Sequence, residues 1–203
     1  MKIICIGRNY ADHAKEMKAE VPKAPVFFMK PDTALLKDGA DFYFPDFTKD
    51  LHYECELVVK IDKVGKNIAE KFASKYYSKV TLGIDFTARD LQQQCKEKGL
   101  PWEIAKAFEH SAPLSNEWID VKDLDLKNAH FELKQNGNTV QTGHTSDMLF
   151  SIDKIIAYVS RFMTLKTGDL IFTGTPAGVG PVHIDDKLEG FLEGRKMFEF
   201  NVK

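Results

Sequence analysis

The stretch Leu51-His52-Tyr53-Glu54-Cys55-Glu56-Leu57-Val58-Val59-Lys60-Ile61 constrains this chain more than any other. Its second half is apolar and β-branched, the composition of a strand buried in a sheet. Side chains on a strand alternate between faces, so Glu54 and Glu56 are expected on one side and Tyr53, Cys55 and Leu57 on the other. Two carboxylates on one face beside a buried run repel each other and lose hydration. A positive charge must offset them, or one must keep a proton. Oxygen donors without thiols suit a hard divalent cation such as Mg2+ or Mn2+. The plainer alternative is the solvated face of an edge strand, and the rest of the chain decides between the two.

A chain of 203 residues is expected to form one domain, 1–203, with a sizeable core. The formal net charge of −2 leaves no basic surplus for nucleic acid, and no apolar run is long enough for a membrane helix. Met1 to Gly7 is apolar, but Arg8, Asp12 and His13 follow too soon for a signal sequence, so it reads as a first strand. Cys5, Cys55 and Cys95 are odd in number, scattered and free of any C-x-x-C pattern. That argues against a disulfide scaffold or a zinc ribbon and for a cytoplasmic home.

Taken in order, Ile3 to Ile6 is expected to be a strand, and Asn9 to cap a short helix reaching about Met17. His13 and Glu16 are three apart on that helix, within reach of a hydrogen bond. Such a pair is either solvated decoration or a general base with its orienting carboxylate. The charged, proline-containing loop from Lys18 to Pro25 has the composition of a lid. Strands are expected at Pro25–Lys30 and Asp41–Phe44, with a turn at Asp38-Gly39 between them, and Phe42, Phe44 and Phe47 in a core or an interface.

A helix is expected near 69–76, then a strand from Val80 to Phe86. Asp85 lies near the end of that apolar strand, where a lone carboxylate needs a partner, and it is the natural third ligand beside Glu54 and Glu56. The helix from Ala88 to Lys98 carries Arg89 and Gln92 three apart in its first turns, either ordinary exposed helix residues or a pair reaching one ligand, a guanidinium there being shaped to hold a carboxylate by two bonds. Lys106 stands alone in the small, apolar run Ile104 to Phe108, either snorkelling to the surface or delivering a charge into a site. Asn136-Gly137 and Glu193-Gly194 mark hairpins, and Ser151 caps a helix with an apolar stripe from Ile152 to Phe162. The glycine-rich loop Thr173 to Gly180 lets backbone approach a ligand closely, but it lacks the G-K-[ST] of a phosphate-binding loop.

Together these segments resemble the fumarylacetoacetate hydrolase family, and more closely its short, single-domain acylpyruvase and oxaloacetate decarboxylase branch. The matching stretches are Gly7 to His13 with Glu16, Lys30-Pro31, His52 to Leu57, Asp85 to Asp90, Lys98 to Trp102 with Ala105-Lys106, and Thr173 to Gly180. The resemblance implies an α+β fold, a β-rich mixed-sheet roll of the family's C-terminal domain type, in a chain that forms a homodimer and lacks the larger members' N-terminal domain. It implies Glu54, Glu56 and Asp85 as ligands of Mg2+ or Mn2+, with Ca2+ able to substitute. His13, Glu16 and Lys106 resemble the catalytic residues, and Arg89, Gln92, Lys106 and Thr175 the contacts to a small 2-oxo acid. The implied reaction is cleavage of the C–C bond of an acylpyruvate, together with decarboxylation of oxaloacetate. Isomerisation or hydration of related 2-oxo acids shares the same chelate. A non-enzymic metal-binding relative is the contrasting reading, and metal binding alone would need none of His13, Glu16 and Lys106. One departure is Ala107-Phe108-Glu109-His110, where many relatives carry an aspartate after the phenylalanine.

Overall fold

The computed structural model describes residues 1–37 and 39–203. Asp38, and with it half of the Asp38-Gly39 turn, lies outside the described residues; Gly39 has φ +63°. Ile3–Gly7 (β1) and Val26–Lys30 (β2) flank the helix Ala11–Glu16 (α1), and Leu35–Leu36 (β3) follows. Next come Leu51–Tyr53 (β4), Cys55–Ile61 (β5), the helix Glu70–Ala73 (α2) and, after one turn of tighter helix, Tyr77–Ile84 (β6). Thr87–Ala88 (β7) leads into Arg89–Lys98 (α3), which stops at left-handed Gly99, and then Glu103–Lys106 (α4). Ala112–Pro113 (β8), Ile119–Asp120 (β9), the hairpin His130–Gln135 (β10) with Asn138–His144 (β11), and the helix Ile152–Val159 (α5) continue the chain. It ends with Leu170–Phe172 (β12), Gly180–Pro181 (β13) and the hairpin Lys187–Leu192 (β14) with Arg195–Asn201 (β15).

These strands form a six-stranded sheet, β2-β1-β12-β5-β6-β9, and a four-stranded one, β11-β10-β14-β15. In the larger sheet β1 and β12 run parallel and the other pairs antiparallel, so the sheet is mixed. One core joins Leu57 and Val59 of β5, Leu82 and Ile84 of β6, Phe131 and Leu133 of β10 and Ile155 and Ile156 of α5. This is the β-rich α+β roll that the resemblance implies. No helix among the described residues is long and apolar enough to cross a membrane.

Four local expectations are corrected. Residues 51–61 are not one strand: the chain leaves the three-stranded sheet β13-β4-β7 at Tyr53 and enters the six-stranded sheet at Cys55, with Glu54 paired in neither. Asn9 does not cap α1; its amide holds the Phe150 and Thr173 carbonyls (3.0 and 2.8 Å), and its side-chain oxygen accepts the Phe150 N–H at 2.8 Å. Residues 41–44 form only a bridge from Phe42 to Val202, their backbone bonded to Asn201 and Lys203 at the end of the chain, and Pro45 has no N–H to extend the ladder. Phe162 lies beyond the end of α5 and is 57% exposed, packing on Phe27 and Tyr158, while Ser151 does cap the helix.

Candidate metal centre and cavity

The break between strands at Glu54 builds the site. The Glu54 carbonyl accepts the Asp85 N–H at 2.8 Å, so the break between β4 and β5 is joined to the end of β6. Glu56, two residues along β5, pairs with Gly83 of β6. All three carboxylates are buried, and an oxygen from each lies within 4.8 Å of the others. Asp85 itself stands one residue past its strand.

Three cations surround this cluster. The Lys106 ammonium lies 2.8 Å from Glu54 Oε2 and 2.8 Å from Asp85 Oδ2. Arg89 Nη2 meets Glu54 Oε1 at 2.5 Å, and Arg89 Nη1 donates to Gln92 Oε1 at 3.1 Å. Lys30 Nζ sits 2.7 Å from Asp85 Oδ1, an ionic contact rather than a well-directed hydrogen bond. Burial opposes ionisation of Glu54, but Lys106 and Arg89 outweigh it and hold the carboxyl well below its ordinary range. Burial likewise opposes the charge on Lys106, yet Asp85 and Glu54 raise the ammonium above its usual value, so it stays protonated at neutral pH. Glu56 is the exception. Among the described residues its carboxylate accepts one hydrogen bond, from the Gly174 N–H at 2.7 Å, and burial together with Asp85 and Glu54 pushes its carboxyl well above the ordinary value.

That imbalance is the test of fit for a metal. Three buried oxygen donors converge, and one of them has no cation of its own; a hard divalent ion supplies it. Glu54, Glu56 and Asp85 would hold such an ion.

The glycine-rich loop positions parts of this cluster through its backbone. Gly174 (φ +101°) lies against Asn9, where an added Cβ would come within 2.7 Å of the Asn9 Cβ. Its N–H fixes Glu56, and four residues on the Gly178 N–H donates to Glu16 Oε1 at 3.1 Å. Glu16 Oε2 in turn faces His13 Nδ1 at 3.2 Å. One loop therefore positions both a carboxylate of the cluster and the carboxylate behind the histidine. Thr175 between them donates to the Cys55 carbonyl and accepts from Gln141 Nε2, each at 2.9 Å.

A cavity of about 400 Å3 opens over this arrangement. His13, Glu54, Glu56, Asp85, Arg89, Gln92, Lys106 and Thr175 all line it, and Met17 borders it together with Lys18 and Ala19 from the start of the expected lid. Glu16 stands behind His13. Every residue singled out from the sequence is thus brought to one place. In the sequence Lys30 stands only in the Lys30-Pro31 match, with no role of its own; its signal is a lone cation closing the apolar run 26–29, as Lys106 is a lone cation within one. Its ammonium is fully buried, bonding the Ser111 carbonyl and hydroxyl (3.0 Å each), the Phe86 carbonyl (3.2 Å) and the Lys106 carbonyl. Gln141 gave no signal, since its partners Cys55 and Thr175 are remote in sequence.

Fold and site together define a β-rich roll that gathers three carboxylates for a divalent cation beneath a histidine–glutamate pair. The family described as "Fumarylacetoacetate (FAA) hydrolase C-terminal" matches residues 2–202. The chain belongs to the fumarylacetoacetate hydrolase family. It is 45% identical to "Oxaloacetate tautomerase FAHD1, mitochondrial" of Bos taurus, over 99% of this chain and 91% of that protein. The crystal structure of fumarylpyruvate hydrolase from Pseudomonas aeruginosa in complex with Mn2+ and pyruvate superposes with a TM-score of 0.93 at 35% identity, covering 100% of this chain and 89% of that one. A 5-carboxymethyl-2-hydroxymuconate delta-isomerase from Mycobacterium smegmatis gives 0.86 at 35% identity, covering 99% and 78%.

Proposed function

We propose that this chain is a Mg2+- or Mn2+-dependent hydrolase that cleaves acylpyruvates to pyruvate and a carboxylic acid, and that the same site decarboxylates oxaloacetate. The observation that carries this reading is His13, braced by Glu16, lining the same cavity as the three carboxylates and Lys106. Metal binding alone requires neither the histidine nor the lysine.

Bound at Glu54, Glu56 and Asp85, the cation would act as a Lewis acid toward the oxygens of the 2-oxo acid. Arg89 and Gln92, already joined to each other, present donors to the substrate carboxylate. Lys106, held protonated by its two carboxylate partners, stabilises negative charge as the pyruvate enolate leaves. The Glu16 carboxylate favours the His13 tautomer with its proton on Nδ1, leaving Nε2 to take a proton from the attacking water. The Gly178 N–H keeps Glu16 in place for this. Decarboxylation passes through the same enolate without an attacking water, so it does not call on His13 as base.

A second reading, tautomerisation of oxaloacetate, is favoured by the name of the relatives at 45% identity. Enolisation needs a proton moved at C3, which His13 and Lys106 are equipped to exchange. A panel of acylpyruvates and oxaloacetate, assayed with Mg2+, Mn2+ and EDTA and followed by NMR, separates these outcomes. Release of pyruvate from an acylpyruvate with metal, and its loss in EDTA, is expected. Enol–keto exchange without pyruvate release would favour the tautomerase, and EDTA-resistant turnover would contradict the metal reading.

The buried, unpaired Cys5, Cys55 and Cys95 support a reducing, cytoplasmic setting. A homodimer is also part of the proposal, supported by the aromatics Tyr43 (70% exposed) and Phe47 (48%) at the surface.

A further inference from the structure

We propose that Gln141 is a positioning residue for the hydrolytic step: it ties the loop Thr173 to Gly180 to the strand that carries the carboxylate cluster, and so sets Glu16 behind His13. This rests on the reading of the cavity as an acylpyruvate hydrolase site and adds a residue outside the cavity on which the general base depends.

Gln141 belongs to β11 in the four-stranded sheet, whereas the cluster gathers where β5 begins and β6 ends in the six-stranded one. Its side chain is only 2% exposed, and both of its polar atoms are bonded. Oε1 accepts the N–H of Cys55, the residue between Glu54 and Glu56, at 2.9 Å. Nε2 donates to Thr175 Oγ1 at 2.9 Å and to the Pro176 carbonyl at 3.1 Å. Thr175 Oγ1 then donates to the Cys55 carbonyl at 2.9 Å, closing a ring on the residue where it began. The amide has one orientation, because the Cys55 N–H can only donate and the Pro176 carbonyl can only accept. An apolar side chain of similar size would fill the space and hold neither.

The backbone beside Gln141 makes a second contact with the same loop. Leu133 pairs with Gln141 and Lys134 with Thr139, so Val140 is an extra residue in β11, a bulge. Bulges bend a strand and re-aim its side chains, and they are over-represented next to active sites. The Val140 carbonyl faces Gly178 (φ +95°), where an added Cβ would come within 2.5 Å of it. β11 therefore meets the loop at Thr175-Pro176 through the Gln141 amide and at Gly178 through Val140. The loop in turn gives the Gly174 N–H to Glu56 and the Gly178 N–H to Glu16. The distance from the carboxylate cluster to the histidine–glutamate pair is thus spanned by directed hydrogen bonds, with Gln141 joining the two ends.

The test is steady-state kinetics with saturating Mg2+ on an acylpyruvate and on oxaloacetate, for Gln141→Met and Gln141→Glu. Met fills the volume and removes every bond; Glu keeps the shape and the bond from Cys55 while losing the amide donor. In Gln141→Met the kcat for hydrolysis should fall about tenfold or more, the scale seen for residues that orient a catalytic group. The kcat for decarboxylation, which does not call on His13, should fall much less, while KM rises alike for both substrates as Thr175 shifts. Gln141→Glu should lie between Gln141→Met and the unaltered protein. Equal losses of kcat on both substrates, an unchanged hydrolysis rate, or failure of both variants to fold would reduce Gln141 to a structural role and overturn the proposal. His13→Ala measured alongside separates the two possible failures. If it spares decarboxylation and Gln141→Met does not, the role of Gln141 falls alone. If the unaltered protein lacks either activity, or His13→Ala loses both equally, the functional reading falls and this role with it.

Discussion

A lysine with no exposed surface is stable only where its charge is matched. Lys30 meets that condition through Asp85 and a ring of carbonyls from residues 86, 106 and 111, which makes it a brace behind the cluster rather than a group facing substrate. Lys106 pairs with the same aspartate but lines the cavity, and the two differ in role for that reason. Removing one partner of a buried pair leaves the other charge unmatched, at a cost of roughly 3–5 kcal/mol. Lys30→Met is therefore expected to lower the unfolding free energy by about that amount in urea denaturation. A loss below about 1 kcal/mol would show that Lys106 alone satisfies Asp85.

At the scale of elements, the tip of the β10–β11 hairpin is tied to the segment entering β14 by Asp186. Its carboxylate accepts from the Asn136 amide, the Gln135 amide and the His183 N–H, each at 2.7 Å. Burial works against its ionisation, but these hydrogen bonds prevail and hold the carboxyl below the ordinary aspartate value. A depressed folded-state pKa contributes stability that is present above the ordinary carboxyl range and lost as pH falls through the folded value. Asp186→Ala should thus cost roughly 1–3 kcal/mol at neutral pH, with the difference from the parent shrinking in melts below about pH 4. A pH-independent difference would remove the tie from this account. The hairpins themselves were legible, because alternation and the Asn136-Gly137 and Glu193-Gly194 turns, all at positive φ, are local signals. Among the site residues, Glu54, Glu56, Asp85 and Lys106 were legible as charges in or beside apolar runs, His13 with Glu16 and Arg89 with Gln92 by their spacing on helices, and Thr175 only through the family resemblance. The break at Glu54 was not, since residues 51–61 read as one continuous strand and only the competing pull of β7 and β13 against β6 and β12 divides it. Nor was the role of Asn9, whose partners lie 141 and 164 positions away.

The molecule as a whole is a cavity with charge at its floor and aromatics on its outer surface. Tyr43 and Phe47 stay exposed, and Phe47 stacks edge-on against Phe108 at 5.4 Å, next to the departure at Ala107 to His110. Sedimentation velocity at micromolar concentration is expected to show a dimer; a monomer throughout would contradict that part of the proposal. The central claim is that His13 activates water above a metal-held 2-oxo acid. A positioned general base contributes about 10²–10⁴-fold to the step it serves. Steady-state rates of His13→Ala on an acylpyruvate and on oxaloacetate, with metal occupancy confirmed, test this most directly. The expected result is a loss of about 10²-fold or more in acylpyruvate hydrolysis with a much smaller loss in decarboxylation. Equal losses on both substrates would place the histidine in a shared step and contradict its assignment as the base.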